Sequence, residues 1–103
     1  MQTLTYHFPA DRVARRAVHI GVVASGDLEI LLEPPADGGP HEAGVRVRTS
    51  VDGFDTVWTE VLDRFFGHTP LAGSWELNDF GATPAVVTLR LRQAAEAAEG
   101  DRT

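Results

Sequence analysis

A chain of 103 residues with nine Arg, no Lys and fifteen Asp or Glu, at a net charge of −6, is long enough for one core and too acidic to be drawn to nucleic acid or anionic lipid. The absence of Cys removes disulfides, thiolate nucleophiles and cysteine metal sites; the absence of Lys removes Schiff bases and any side-chain amine for biotin or lipoate. A covalently attached group is therefore expected on a hydroxyl, and the serines are Ser25, Ser50 and Ser74. The segment from Met1 to Arg16 lacks the apolar core of a secretory signal, and no apolar run approaches the roughly 20 residues that cross a bilayer. A cytoplasmic protein with no membrane partner is expected.

Thr3 to Phe8 alternates, with Leu4, Tyr6 and Phe8 on one face and Thr3, Thr5 and His7 on the other, the pattern of a half-buried strand. Pro9 ends it, and Asp11 to Arg16 reads as a polar connection. Ala17 to Ala24 and Asp27 to Glu33 are two apolar, β-branched runs separated by Ser25-Gly26, which predicts a hairpin with a two-residue turn. Such a turn needs a positive φ at a central residue, and Gly26 supplies it without steric cost. Val18, Ile20 and Val22 then share one face of the first strand, and Leu28, Ile30 and Leu32 one face of the second. The Ser25 hydroxyl stands exposed at the tip, a good place to attach something, although Ser-Gly is also ordinary turn chemistry.

Pro34 to Ala43, with its prolines and glycines, reads as a loop. Gly44 to Val51 resumes alternation, with Val45, Val47 and Val51 inward and Arg46, Arg48 and Ser50 outward. Phe54, Val57, Trp58, Val61, Leu62, Phe65 and Phe66 recur at the helical period, which predicts a helix capped by Asp52 and stopped by Gly67. Its stripe is core, unless Trp58 and Phe66 at the margin meet another protein. Ser74 to Asp79 reads as a short strand with Trp75 and Leu77 inward. Thr83-Pro84 then reads as a cap and first residue of a helix running to about Glu99, with Val87, Leu91, Ala94, Ala95 and Ala98 on one face. Residues 86–92 also alternate as a strand would, but the cap and the Ala/Glu-rich continuation favour the helix. Gly100 to Thr103 are expected to fray. The fold class that follows is α+β, a single mainly antiparallel sheet of about five strands with two helices packed on one face, in one domain spanning 1–103.

The chemistry legible at this level is sparse. His7, His19, His41 and His68 have no metal-ligand spacing. A triad of Ser25 with His19 or His7 lacks a nucleophile-elbow motif, and Asp27 and Glu29 are too few to make an acid/base pair. What remains is one well-displayed serine.

Three segments carry a resemblance: Val23-Ala24-Ser25-Gly26-Asp27-Leu28-Glu29-Ile30-Leu31-Leu32-Glu33, then Thr49-Ser50-Val51-Asp52, then Asn78-Asp79-Phe80-Gly81-Ala82-Thr83-Pro84. In order and spacing they resemble the acyl carrier (delta) subunits of bacterial malonate decarboxylase, and more distantly the acyl carrier subunit of citrate lyase. The resemblance implies a phosphoprotein whose Ser25, in the Ser25-Gly26-Asp27 motif, carries 2'-(5''-phosphoribosyl)-3'-dephospho-CoA through a phosphodiester. The thiol of that arm would hold acetyl and malonyl thioesters during malonate catabolism to acetate and carbon dioxide. The implied partners are acyl transferase and decarboxylase subunits and the prosthetic-group transferase, and the carrier itself would be no enzyme. Asp27 and Glu29 are then expected to act as recognition charges for basic partner surfaces. Helical phosphopantetheine carriers place an Asp before their serine, whereas here Ala24 precedes Ser25 amid strand-forming residues. The alternative of a different class is a non-covalent adaptor with no prosthetic group, docking through Trp58 and Phe66.

Overall fold

The computed structural model describes residues 2–36 and 42–99; the middle of the proline-rich loop, with His41, and the tail expected to fray lie outside the described residues. Along the chain the elements are β1 (Gln2–Pro9), β2 (Arg12–Val13), β3 (Val18–Ile20), β4 (Leu28–Glu33), β5 (Glu42–Thr49), α1 (Asp55–His68), β6 (Leu71–Asp79) and α2 (Pro84–Glu99). Five strands run in the order β1-β5-β6-β4-β3, and β2 adds a sixth by pairing with β6. Three pairs are antiparallel, and β5/β6 and β2/β6 are parallel. The expected α+β architecture forms, with a parallel pair where α1 carries the chain from β5 to β6 as a crossover.

Strand register sets the inward side chains in rows. Tyr6, Val45, Trp75, Leu32 and Val18 lie opposite one another across the sheet, as do Leu4, Val47, Leu77, Ile30 and Ile20. Central members are buried and those on the edge strands half-buried. Onto this face α1 packs Trp58, Leu62, Phe65 and Phe66, and α2 packs Val87, Leu91, Ala94, Ala95 and Ala98. Phe8 stacks on Phe66 at 4.8 Å, while Phe65 and Phe66 meet Trp75 edge-on at 5.9 and 5.1 Å. Such ring geometries add roughly 0.5–1.5 kcal/mol per pair beyond burial. Trp58 and Phe66 are 5% and 3% exposed, so the surface on which an adaptor was to dock is inside the core.

Several boundaries differ from the sequence expectation. The hairpin has no two-residue turn: β3 ends at Ile20, which pairs with Ile30, and residues 21–27 connect the strands. Gly21 turns the chain at φ +83°, so tightly that a Cβ there would collide with the Leu28 carbonyl oxygen. Val22 is consequently exposed rather than inward. The polar connection contains β2, and β6 begins at Leu71. Strand β5 stops at Thr49, which occupies the inward position beyond Val47 and leaves Val51 outside the strand.

Helix α1 starts at Asp55 behind Phe54, with no side-chain cap, and runs through Gly67 to His68. Its stripe is narrower than predicted, because Phe54 and Val57 face open space between the first turns of the two helices. Helix α2 matches its prediction, with Val86 N–H donating to Thr83 Oγ1 at 3.3 Å. Leu91 on α2 is fully buried and Leu89 is 50% exposed. Leu91→Ala is therefore expected to cost about 2–5 kcal/mol in denaturant unfolding, and Leu89→Ala within about 0.5 kcal/mol of zero.

Candidate functional site

Ser25 occupies the second position of a β-turn in which Asp27 N–H donates to Ala24 C=O at 3.0 Å. Gly26, the third residue, has φ +81°, and no non-glycine residue among those described has a positive φ. That combination is the type II turn, which requires a residue tolerant of positive φ at its third position. The expectation that Gly26 supplies the positive φ holds, within a longer loop than foreseen.

Backbone hydrogen bonds pin this turn to the connection between β6 and α2. Gly26 N–H donates to Phe80 C=O at 2.7 Å, and Phe80 N–H donates to Asp27 C=O at 3.0 Å. These bonds continue the β4/β6 ladder, whose last pair is Leu28 with Asp79. The connection is held in turn by Asp79, a carboxylate only 4% exposed. Its Oδ2 accepts from the Thr49 hydroxyl at 2.7 Å, and its Oδ1 from the N–H groups of Gly81 and Ala82 at 3.2 and 2.9 Å.

A second tie runs through side chains. Asp27 binds Arg90 of α2 in a two-pronged pair, Nε to Oδ1 at 3.0 Å and Nη2 to Oδ2 at 2.9 Å, and Oδ1 also accepts from Leu28 N–H at 2.7 Å. Planar two-point pairing of this kind fixes orientation as well as attraction. Arg90 also donates to Gln93 Oε1 at 3.0 Å. The Arg90 hydrogen bonds, then the Leu28 N–H, hold the Asp27 carboxyl below its ordinary value against the opposing effect of burial, and Arg90 is raised in return. Glu29 is similarly engaged, by His19 Nε2 and by Asn78 Nδ2, each at 2.9 Å. Both carboxylates expected to serve as recognition charges are thus committed to partners within the chain.

The three segments that carried the resemblance therefore meet in space through Thr49–Asp79, Gly26–Phe80 and Leu28–Asp79 contacts. Ser25 itself is exposed, and its hydroxyl has no hydrogen-bond partner among the described residues. A Cβ on Gly26 would meet no atom within 4 Å, so the space beside the hydroxyl is open. Ser50 and Ser74 are also exposed, but Ser50 N–H is bonded to Asp79 C=O and Ser74 lies within β6. Among the described residues no histidine is placed to activate Ser25. His7 is bonded to Glu42 on the pair β1/β5, His19 to Glu29, and His68 to the Arg64 carbonyl. Among the described residues no group of three or more potential ligands gathers to hold a metal, and no helix is long and apolar enough to cross a membrane. An exposed hydroxyl on a turn pinned by hydrogen bonds, with no histidine beside it among the described residues, leaves room for a bulky group to be attached there.

The sequence reading singled out Ser25, Gly26 and Asp27 and did not include Arg90, which lies 63 residues from its partner Asp27. A carboxyl depressed in the folded state contributes stability above its unfolded value of about 3.9 and loses that contribution as pH falls toward the folded value. Asp27→Asn is accordingly expected to lower the melting temperature at neutral pH, with the gap to the unsubstituted chain closing below about pH 4. Thermal melts across that range check it, and a gap that does not change with pH contradicts the role given to the pair.

Comparison with known proteins adds the family. The family model for the malonate decarboxylase delta subunit (MdcD) matches residues 15–98. The malonate decarboxylase acyl carrier protein of Pseudomonas savastanoi pv. phaseolicola is 47% identical over 97 residues, covering 93% of this chain and 95% of that protein. Its counterpart in Pseudomonas aeruginosa strain UCBPP-PA14 is 48% identical over 102 residues, covering 98% and 100%. A chain from the crystal structure of a Pseudomonas malonate decarboxylase hetero-tetramer in complex with malonate aligns at a TM-score of 0.86 and 45% identity, over 95% of this chain and 99% of that one. Sequence and fold agree, and the chain belongs to the malonate decarboxylase delta subunit family of acyl carrier proteins.

Proposed function

We propose that residues 1–103 form the non-catalytic acyl carrier subunit of a cytoplasmic malonate decarboxylase, with 2'-(5''-phosphoribosyl)-3'-dephospho-CoA joined to the Ser25 hydroxyl. The observation that carries this reading is the exposed, unpartnered Ser25 on a turn that is itself pinned by Gly26, Asp27 and Phe80. A flexible arm samples several active sites effectively when its root is fixed and its length spans them. When bound, the group supplies a thiol that holds acyl groups as thioesters, which a chain without Cys cannot do.

The roles of the chain's own residues follow. Ser25 Oγ holds the phosphodiester; Gly26 keeps the approach to it clear; the Asp27–Arg90 pair and Asp79 keep the turn from swinging with its load. Acyl transfer from malonate and decarboxylation belong to partner subunits, which release acetate and carbon dioxide, and a prosthetic-group transferase installs the arm. In a reconstituted complex Ser25→Ala is expected to abolish malonate-dependent carbon dioxide release while still co-purifying with its partners. Release at the unsubstituted rate would overturn the assignment.

A further inference from the structure

Large exposed apolar side chains among the described residues are Val13, Val22, Val23, Phe54, Val57 and Leu89. Four of these lie beside the serine turn or at a cavity whose wall approaches it. Val22 and Val23 precede it, and Phe54 and Val57 rim a cavity of 230 Å³ between the first turns of α1 and α2. Val51, Trp58, Val61, Ala82 and Val87 line the interior. The wall nearest the turn is Gly81, where a Cβ would stand 3.8 Å from Gly26 N. Gly81 thus stands between the backbone of Gly26, next to the attachment point, and this cavity.

We propose, on the carrier reading given above, that the cavity receives the acyl-thioester end of the Ser25 arm between visits to partner subunits, and that it accepts acetyl and refuses malonyl. An arm that reaches other subunits is longer than this wall is thick, so its end can fold back. The volume is below the roughly 300–1,000 Å³ of pockets for drug-sized ligands, which suits a thioester terminus of a few heavy atoms. Its apolar lining favours a methyl end over water. A malonyl carboxylate entering it would exchange its hydration for a mostly apolar wall that holds no cationic side chain among the described residues. Among the described residues no Arg or His lines the cavity, and the one charged side chain in its wall is Asp79, a like charge whose oxygens are already taken by Thr49, Gly81 and Ala82. A carboxylate desolvated beside another with no cation to offset it is disfavoured. The acetyl form is thereby sheltered from water while the malonyl form stays outside, available to the decarboxylase.

The test uses the isolated holo chain with its thiol free, acetylated or malonylated; there is no Cys or Lys side chain to compete for the label. Acetylation is expected to shift the methyl resonances of Val57, Val61 and Val87 and the amide of Gly81, and malonylation to leave them in place. An acetyl end seated nine-tenths of the time is cleaved by hydroxylamine about tenfold more slowly than acetyl-CoA, with no protection of the malonyl form. Val57→Glu and Phe54→Gln, at rim positions 38% and 48% exposed, should abolish the protection while circular dichroism stays unchanged. Unmoved cavity resonances with equal cleavage in all forms would overturn the proposal, as would shifts confined to residues 22–27. Malonyl shifting the same resonances would overturn the selectivity. A chain whose intact mass shows no arm at Ser25 would overturn the carrier reading and this inference with it.

Discussion

Asp79 is a carboxylate taken almost wholly out of water, and the position of the serine turn depends on how that carboxylate is satisfied. A buried charge is tolerated when hydrogen bonds replace its hydration, and here the Thr49 hydroxyl and the amides of Gly81 and Ala82 do so. Those bonds join the ends of β5 and β6 to the start of α2 and leave Phe80 with one backbone position. Phe80 in turn exchanges two hydrogen bonds with Gly26 and Asp27. The rows of Val, Leu, Ile and Trp across the sheet hold the body together through burial. Directional polar contacts then determine where Ser25 points. The Asp27–Arg90 pair adds a second tie to α2, and its partial exposure, 17% and 27% at the side chains, makes it a fastener more than a source of global stability.

Elements with strong local signals were legible in the sequence. Helix α2 was readable at its start because Thr83-Pro84 specifies one, and its buried residues follow from their spacing. The inward faces of β1, β4 and β5 follow from alternation. The failures share a cause, which is that long-range geometry overrode a local pattern. Gly21, not Ser25-Gly26, is where the chain leaves β3, because of its close approach to Leu28. Residues Arg12 and Val13 show no strand periodicity and become a strand only because β6 offers them an edge. Phe54 and Val57 fit the helical stripe, yet they face the gap between two helix starts, which no single-helix pattern encodes. Of the site, Ser25 and its glycine were visible as turn chemistry, whereas Arg90 carries no local sign that it answers Asp27. That pairing changes the meaning of Asp27, from a charge offered to partners to a charge used at home.

On the proposed reading, the chain's contribution to malonate turnover is mechanical and steric. It offers a hydroxyl with space around it, fixes that hydroxyl against the body of the domain, and keeps a small apolar cavity next to the point of attachment. Among the described residues His7, His19 and His68 are bonded to Glu42, Glu29 and the Arg64 carbonyl, and none of them is aimed at Ser25. Reactivity in such a protein resides in the group it carries and in the subunits it visits.

The central claim is that Ser25 bears the arm. Intact mass of the protein isolated from its native host growing on malonate, beside a Ser25→Ala variant, tests it most directly. The account predicts an increment matching the phosphoribosyl-dephospho-CoA group in the unsubstituted chain and none in the variant. An unmodified chain from those cells, or an increment that persists in Ser25→Ala, would contradict it.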